Sequence, residues 1–233
     1  MVNEILLVLT CLVSFSLILL AYRFFGKTGM YVWAAFASVV ANIEVIKCVD
    51  MFGMAVTLGN VIYASNFLMT DILSEMHGEK CSKKALHIGF FTLISATLLF
   101  QISLLYIPNA SDFASPAMKT IFALSPRICA ASLIAYFISN YIDIVLFARI
   151  GKKTKHLWIK NNLATMTAQL LDSFMFTFMA FLWVFPVNEL IVLSLTTYVI
   201  KVIIAALDTP FLYIARWIGR KYVKDIKEKE VML

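Results

Sequence analysis

The feature that most restricts this chain is the recurrence of long apolar runs almost free of charge. Segments 5–25, 30–47, 60–77, 85–107, 126–149, 162–185 and 190–218 each have the length and apolar character of a helix that crosses a bilayer, for which about 17 to 25 mostly apolar residues are needed. A soluble fold has no place for so much apolar surface. Of 233 residues, 61% are hydrophobic and 15% charged, against roughly 25% charged in an average soluble domain. The sequence therefore predicts an all-α, polytopic membrane bundle of about seven spans, six core helices preceded by an N-terminal one. Residues 1–220 read as a single transmembrane domain and 221–233 as a short charged tail. The third span is the least apolar, because it contains Asn60, Asn66, Asp71 and Glu75. Pro210 predicts a kink or an oblique packing in the last one.

Charge placement sets an orientation. A secretory signal carries its basic residues before the apolar run; here the chain starts "MVNE", and Arg23 and Lys27 follow the run. That order predicts a retained first helix with its N-terminus outside. The segments then assigned to the cytoplasm contain Arg23, Lys27, Lys80, Lys83, Lys84, Arg149, Lys152, Lys153, Lys155, Lys160 and the six basic residues from Arg216 to Lys229. These make up sixteen of the 20 lysines and arginines, as expected of short inner loops and a C-terminus inside. The net charge of +6 is thus an orientation device in a multi-pass protein of the cell's inner or plasma membrane, not a nucleic-acid footprint. Trp33, Trp158, Trp183 and Trp217 fall near predicted span ends, where an amphipathic ring is comfortable.

Several function classes lack their signatures. Cys11, Cys48, Cys81 and Cys129 have no paired spacing, so neither a disulfide framework nor a metal site is expected. No G-x-x-x-x-G-K-[ST] loop is present, hence no ATPase of the chain's own. The absence of a nucleophile–base set and of intramembrane protease motifs argues against an enzyme. No cofactor is called for.

What remains to be explained is a set of carboxylates in or beside the spans: Glu44, Asp71, Glu75, Asp143, Asp172 and Asp208. Each charge at a helix centre costs about 2.5–3.5 kcal/mol on insertion scales, so these groups must face the bundle interior or water. Helical spacing aligns them with other polar residues. Ser38 and Asn42 share a face; so do Tyr63, Asp71 and Glu75; Ser132, Tyr136, Asn140 and Asp143; Thr165, Gln169 and Asp172; and Ser194, Lys201 and Asp208. Five stripes predict a central hydrated or ligand-filled site. The competing reading is a set of structural ion pairs, with Arg127 and Lys201 neutralising two acids, Arg127 pairing with Asp112, and Glu75 meeting Lys80. "SNFLMTDI" (65–72) and "SNYIDI" (139–144) hint at a weak internal duplication.

The segments "ANIEVIK" (41–47), "FGMAVTLGN" (52–60), "FLMTDILSEMHGEKCSKKA" (67–85), "PRICAASLIAYFISNYIDI" (126–144), "LWIKNNLATMTAQLLDSFMF" (157–176) and "TTYVIKVIIAALDTPFLYIA" (196–215), in this order, resemble the queuosine precursor transporters, or vitamin uptake transporter family. The chain departs from that pattern at Glu44 and Asn140, where Gln is more frequent. The resemblance implies import of a 7-deazaguanine such as preQ0, preQ1 or queuine for tRNA modification. The alternative is the substrate-binding component of an energy-coupling-factor vitamin transporter, which would need an energy-coupling module; a homodimer is also open. A carboxylate can accept the base's N1–H and exocyclic NH₂, a donor is needed at O6, and aromatic rings suit its faces. The resulting candidate substrate residues are Asp71, Asp172, Asn42, Tyr63, Tyr136, Asn140, Asp143, Gln169, Tyr198 and Lys201. Glu75, Arg127 and Asp208 are candidate coupling or structural residues.

Overall fold

The computed structural model describes residues 2–122 and 126–223. The last ten residues of the tail, with Lys224, Lys227 and Lys229, lie outside them. The order of elements is α1 (Val2–Glu44), β1 (Cys48–Met51), β2 (Met54–Thr57), α2 (Asn60–His77), α3 (Glu79–Ser103), α4 (Ser115–Phe122), α5 (Pro126–Lys153), α6 (Leu157–Phe181) and α7 (Val187–Ile218), followed by one π-helical turn, Gly219–Val223.

The first two expected spans are limbs of α1, which reverses at Gly26 (φ 54°, ψ −135°). Only glycine adopts that φ without strain. The reversal returns the chain to its start: Asn3 Nδ2 donates to the Asp50 carbonyl at 2.8 Å, and the Phe52 amide donates to Glu4 Oε1 at 3.0 Å. Both partners lie in a two-stranded antiparallel ribbon, β1 with β2, paired from Cys48–Thr57 to Met51–Met54. This ribbon is an addition to the all-helical expectation, since 48–59 reads in the sequence only as a connection. The 108–126 connection likewise contains a short helix, α4, capped by Asp112. Asp112 Oδ1 accepts the Ala114 and Ser115 amides at 2.8 and 3.1 Å.

Among the described residues, α1, α3, α5 and α7 are long and apolar enough to cross a membrane by length and composition. Helices α2 and α6 carry most of the buried polar groups. The exposed sides of the long helices are oily, with Leu9, Leu12, Phe36, Phe91, Leu99 and Ile203 open to the surroundings. The inside is built from Phe15, Ile18, Tyr22, Phe67, Leu68, Ile72 and Leu86, all fully buried. Apolar residues outside and polar ones within is the arrangement lipid imposes.

One expectation changes on folding. Trp33 is not at a lipid boundary; it is 7% exposed, and its Nε1–H donates to Ser65 Oγ on α2 at 3.0 Å, fastening the second limb of α1. Pro210 lies inside α7 without ending it. One end of the bundle gathers the α1 reversal, the α2–α3 turn and the end of α7: Tyr22 Oη meets His77 Nε2 at 3.1 Å, and Gly26 packs near Val223.

Candidate binding chamber and a second acidic centre

A cavity of about 510 Å³ occupies the opposite half of the bundle. Its walls are the end of the second α1 limb (Ser38 to Ile46), the first turn of α2 (Asn60, Tyr63), the N-terminal halves of α5 and α7, and the C-terminal half of α6. Much of the lining is apolar, including Val45, Leu93, Ile128, Phe176 and Phe181. Polarity is concentrated on one side, around Asp172 on α6.

Asp172 is saturated with partners. Tyr63 Oη donates to Oδ1 at 2.5 Å, Ser139 Oγ donates to the same oxygen at 3.0 Å, and Lys201 Nζ from α7 forms an ion pair with Oδ2. Burying two charges is costly unless their remaining lone pairs and protons are also satisfied; Tyr63 from α2 and Ser139 from α5 do this for the Asp172 carboxylate, alongside its α7 lysine. Lys201 Nζ also stands 5.1 Å from the centroid of the Tyr63 ring. Tyr63 and Tyr136 are tilted edge to face, centroids 5.9 Å apart. Ser38 Oγ donates to the Ala34 carbonyl at 2.6 Å, so the 3.1 Å contact with Tyr136 is donated by the phenol. Gly89 on α3 permits that contact: a Cβ there would lie 2.5 Å from Tyr136 Oη and 2.8 Å from Ser38 Oγ.

The chamber thus brings together Asn42, Tyr63, Tyr136, Asp172 and Lys201 from the sequence candidates. Asp71, Asn140, Asp143, Gln169 and Tyr198 are not on its wall. Asn60, Thr177 and Thr197 line it but were not among the candidates. Thr177 is five residues beyond Asp172, off the stripe that spacing picks out.

Arg127 bonds backbone instead of an acid, donating from Nε to the Met179 carbonyl at 2.8 Å and from Nη2 to Leu182 at 2.6 Å. It thereby holds the end of α6, and its expected pairing with Asp112 does not form. Glu75 meets not Lys80 but Lys160 on α6, and also Arg216 on α7 at 3.5 Å. These three residues clasp α2, α6 and α7 near the end opposite the chamber.

Between chamber and clasp lies a second polar centre. Asp71, Asp143 and Asp208 are at most 1% exposed. Thr165 Oγ1 reaches Asp143 Oδ1 at 3.1 Å and Asp71 Oδ2 at 3.3 Å, while Asn161 Nδ2 donates to Asp208 Oδ1 at 2.8 Å. No lysine or arginine joins these three acids in an ion pair among the described residues.

A chamber faced by a buried charge pair, inside a bundle coated with exposed aliphatic side chains, defines a multi-pass membrane protein that handles a small molecule. Sequence comparison narrows the class. The profile described as "putative vitamin uptake transporter" matches residues 57–215. A "probable queuosine precursor transporter" of Bacillus subtilis (strain 168) is 37% identical over 219 residues, 93% of this chain and 96% of the relative. The "queuosine precursor transporter" of Escherichia coli (strain K12) is 26% identical over 163 residues, 67% of this chain and 71% of the relative. No solved structure gives a significant match. The chain belongs to the vitamin uptake transporter family; it is a multi-pass cell-membrane transporter and not an enzyme.

Proposed function

We propose that this transporter imports a queuosine precursor, a 7-deazaguanine such as preQ0, preQ1 or queuine, through the chamber faced by Asp172. The observation that carries the reading is the Asp172–Lys201 pair on the chamber wall, next to two aromatic rings, in a chain closely related to proteins named for this cargo. A deazaguanine offers two adjacent donors, N1–H and NH₂, and an acceptor at O6. Asp172 and Lys201 match those groups in kind, so the base can trade contacts with a pair whose charges already offset one another. Tyr63 and Tyr136 present ring faces and edges for a flat guest. The volume lies within the roughly 300–1,000 Å³ of small-molecule sites. Asn42 supplies an amide on the same wall.

In this reading the chamber faces the outside and the Glu75 clasp closes the cytoplasmic end, in keeping with the basic residues gathered on the clasp side among the described residues, from Arg23 and Lys27 to Arg216, Arg220 and Lys221, and with seven spans, two of them limbs of α1. The test is binding of guanine, preQ0, preQ1 and queuine by the purified protein, with radiolabelled uptake by cells expressing Asp172→Asn at normal protein levels. Selective binding of deazaguanines, with uptake lost in the variant, is expected. Undiminished uptake would remove Asp172 from the site. Co-purification with an energising ATPase module would instead favour the energy-coupling-factor alternative.

A further inference from the structure

Asp71 and Asp143 stand close together across the interface of α2 and α5. They also share one hydroxyl, Thr165 Oγ1. A hydroxyl carries a single proton and donates to one acceptor at a time. Thr70 Oγ1 stands beside Asp143 as well but donates to the Phe67 carbonyl at 2.8 Å, so two ionised carboxylates in this arrangement leave one short of a donor and hold like charges close together. A proton held by the pair removes both difficulties, since a protonated carboxyl donates to its neighbour or to the Thr165 oxygen.

Independent groups point the same way. No donor among the described residues reaches Asp71 Oδ1, Asp143 Oδ2 or Asn161 Oδ1. Asn161 is the residue that holds Asp208, so acceptors outnumber donors across the whole centre. One helical turn toward the chamber stand Asn140 on α5, spaced three residues from Asp143, and Gln169 on α6, spaced four from Thr165. Both are fully buried. Neither polar atom of Gln169, nor Asn140 Oδ1, has a partner among the described residues. Gln169 is in turn three residues from Asp172, so an unsatisfied amide bridges the level between acid pair and chamber. Buried polar atoms are rarely left idle.

We propose that the Asp71–Thr165–Asp143 constellation is a proton-binding site of the transport cycle, distinct from the chamber, which Gln169 and Asn140 link to it. The pair holds one proton while the Glu75 clasp is closed. It releases that proton when α2, α5 and α6 separate on the clasp side, so that one proton accompanies each base. The surrounding charges fit this role. On α2, Glu75 is already occupied by Lys160 and Arg216; on α7, Asp208 is the third acid, and Lys201 is engaged by Asp172. From α1, Cys11 is a titratable group within electrostatic reach of Asp208, and from α3 the Ser82 hydroxyl donates to the Thr70 carbonyl of α2 at 2.8 Å. No lysine or arginine among the described residues forms an ion pair with either acid. A sodium ion could serve the same surplus of oxygens, though no group of three acidic or other metal-binding side chains close enough to hold a metal occurs among the described residues.

The proposal rests on the transport reading but has a readout that does not. Infrared difference spectra of the purified protein in lipid at neutral pH should contain a protonated carboxylic C=O band. That band should be lost in Asp143→Asn and in Asp71→Asn, and shifted but kept in Thr165→Val. Its absence from the wild type, or its survival in both Asn variants, overturns the proton site, whatever the cargo. In proteoliposomes, one unit of pH, acid outside, should drive about tenfold accumulation of base at one proton per base. A sodium gradient alone should drive none. Accumulation driven by sodium, with no carboxyl band, replaces the proton with a metal cation and overturns the proposal. If no deazaguanine is carried but the band behaves as described, the proposed cargo fails and the proton site stands.

Discussion

Asp172 and Asp143 are both carboxylates buried inside one bundle, on consecutive helices, and their surroundings could hardly differ more. Asp172 has a lysine, a phenol and a hydroxyl on its two oxygens and opens onto a chamber. Asp143 has a second acid nearby, a shared claim on the Thr165 hydroxyl, Thr70 beside it, and no cation among the described residues. The first is a compensated charge, placed where a guest can share its partners. The second is an uncompensated one, placed where only something as small as a proton can enter. The contrast teaches that polarity in a membrane bundle has two uses, and that the presence or absence of a counter-charge tells them apart.

The sharpest way to break this contrast is to remove one cation and, separately, one acid. Lys201→Met strands the Asp172 charge in a dry wall and should cost about 3–5 kcal/mol of stability, read as thermal unfolding in detergent. Adding Asp172→Asn to it should recover most of that loss. Asp143→Asn removes a charge that has no partner to strand. Its cost should stay within about 1.5 kcal/mol, the worth of a single hydrogen bond. Equal losses from Lys201→Met and Asp143→Asn would erase the distinction.

Gly89→Ala probes the chamber without touching any charge. The new Cβ would fall 2.5 Å from Tyr136 Oη, and overpacking of this kind costs about 1–3 kcal/mol. Base affinity should drop, Tyr136→Phe on the same background should relieve part of the clash, the contact with Ser38 Oγ at 2.8 Å remaining, and the carboxyl infrared band should not move. The smallest effect belongs to a control far from both centres. Asp112 is held below the usual carboxylate range, first by the Ser115 hydroxyl and then by the Ala114 and Ser115 amides. The sign follows from that direction: its cap on α4 is fully present above the ordinary carboxylate pKa and is lost as pH falls through the lowered one. Amide exchange at Ala114 and Ser115 should quicken only at acid pH, and Asp112→Asn should flatten that dependence while uptake is unaffected.

Much of this arrangement can be read before folding. The cost of charge in oil predicts that Asp71, Asp143, Asp172 and Asp208 turn inward, and all four are at most 4% exposed. The limits of legibility are equally physical. Helical periodicity reports direction around an axis but not which depth is hollow. Tyr63 and Asp71 share a face, yet eight residues of helix are about 12 Å, enough to put one in the chamber and the other below it. The pairing of Asp172 with Lys201 depends on how far α6 and α7 slide past one another, which neither sequence encodes alone. The resemblance between "SNFLMTDI" and "SNYIDI" says nothing about contact, although its two aspartates end side by side. Trp33 illustrates the reverse: its place in the chain suits an interface, but the Ser65 hydroxyl draws it inward.

The β1–β2 ribbon carries a consequence for anyone wishing to control the protein. It leaves the second limb of α1 and enters α2, so two faces of the chamber hang from one short handle, while Asn3 and Glu4 tie the chain's beginning to that handle as well. A binder raised against these few residues would grip three segments at once, and could jam the machine without ever competing for its cargo.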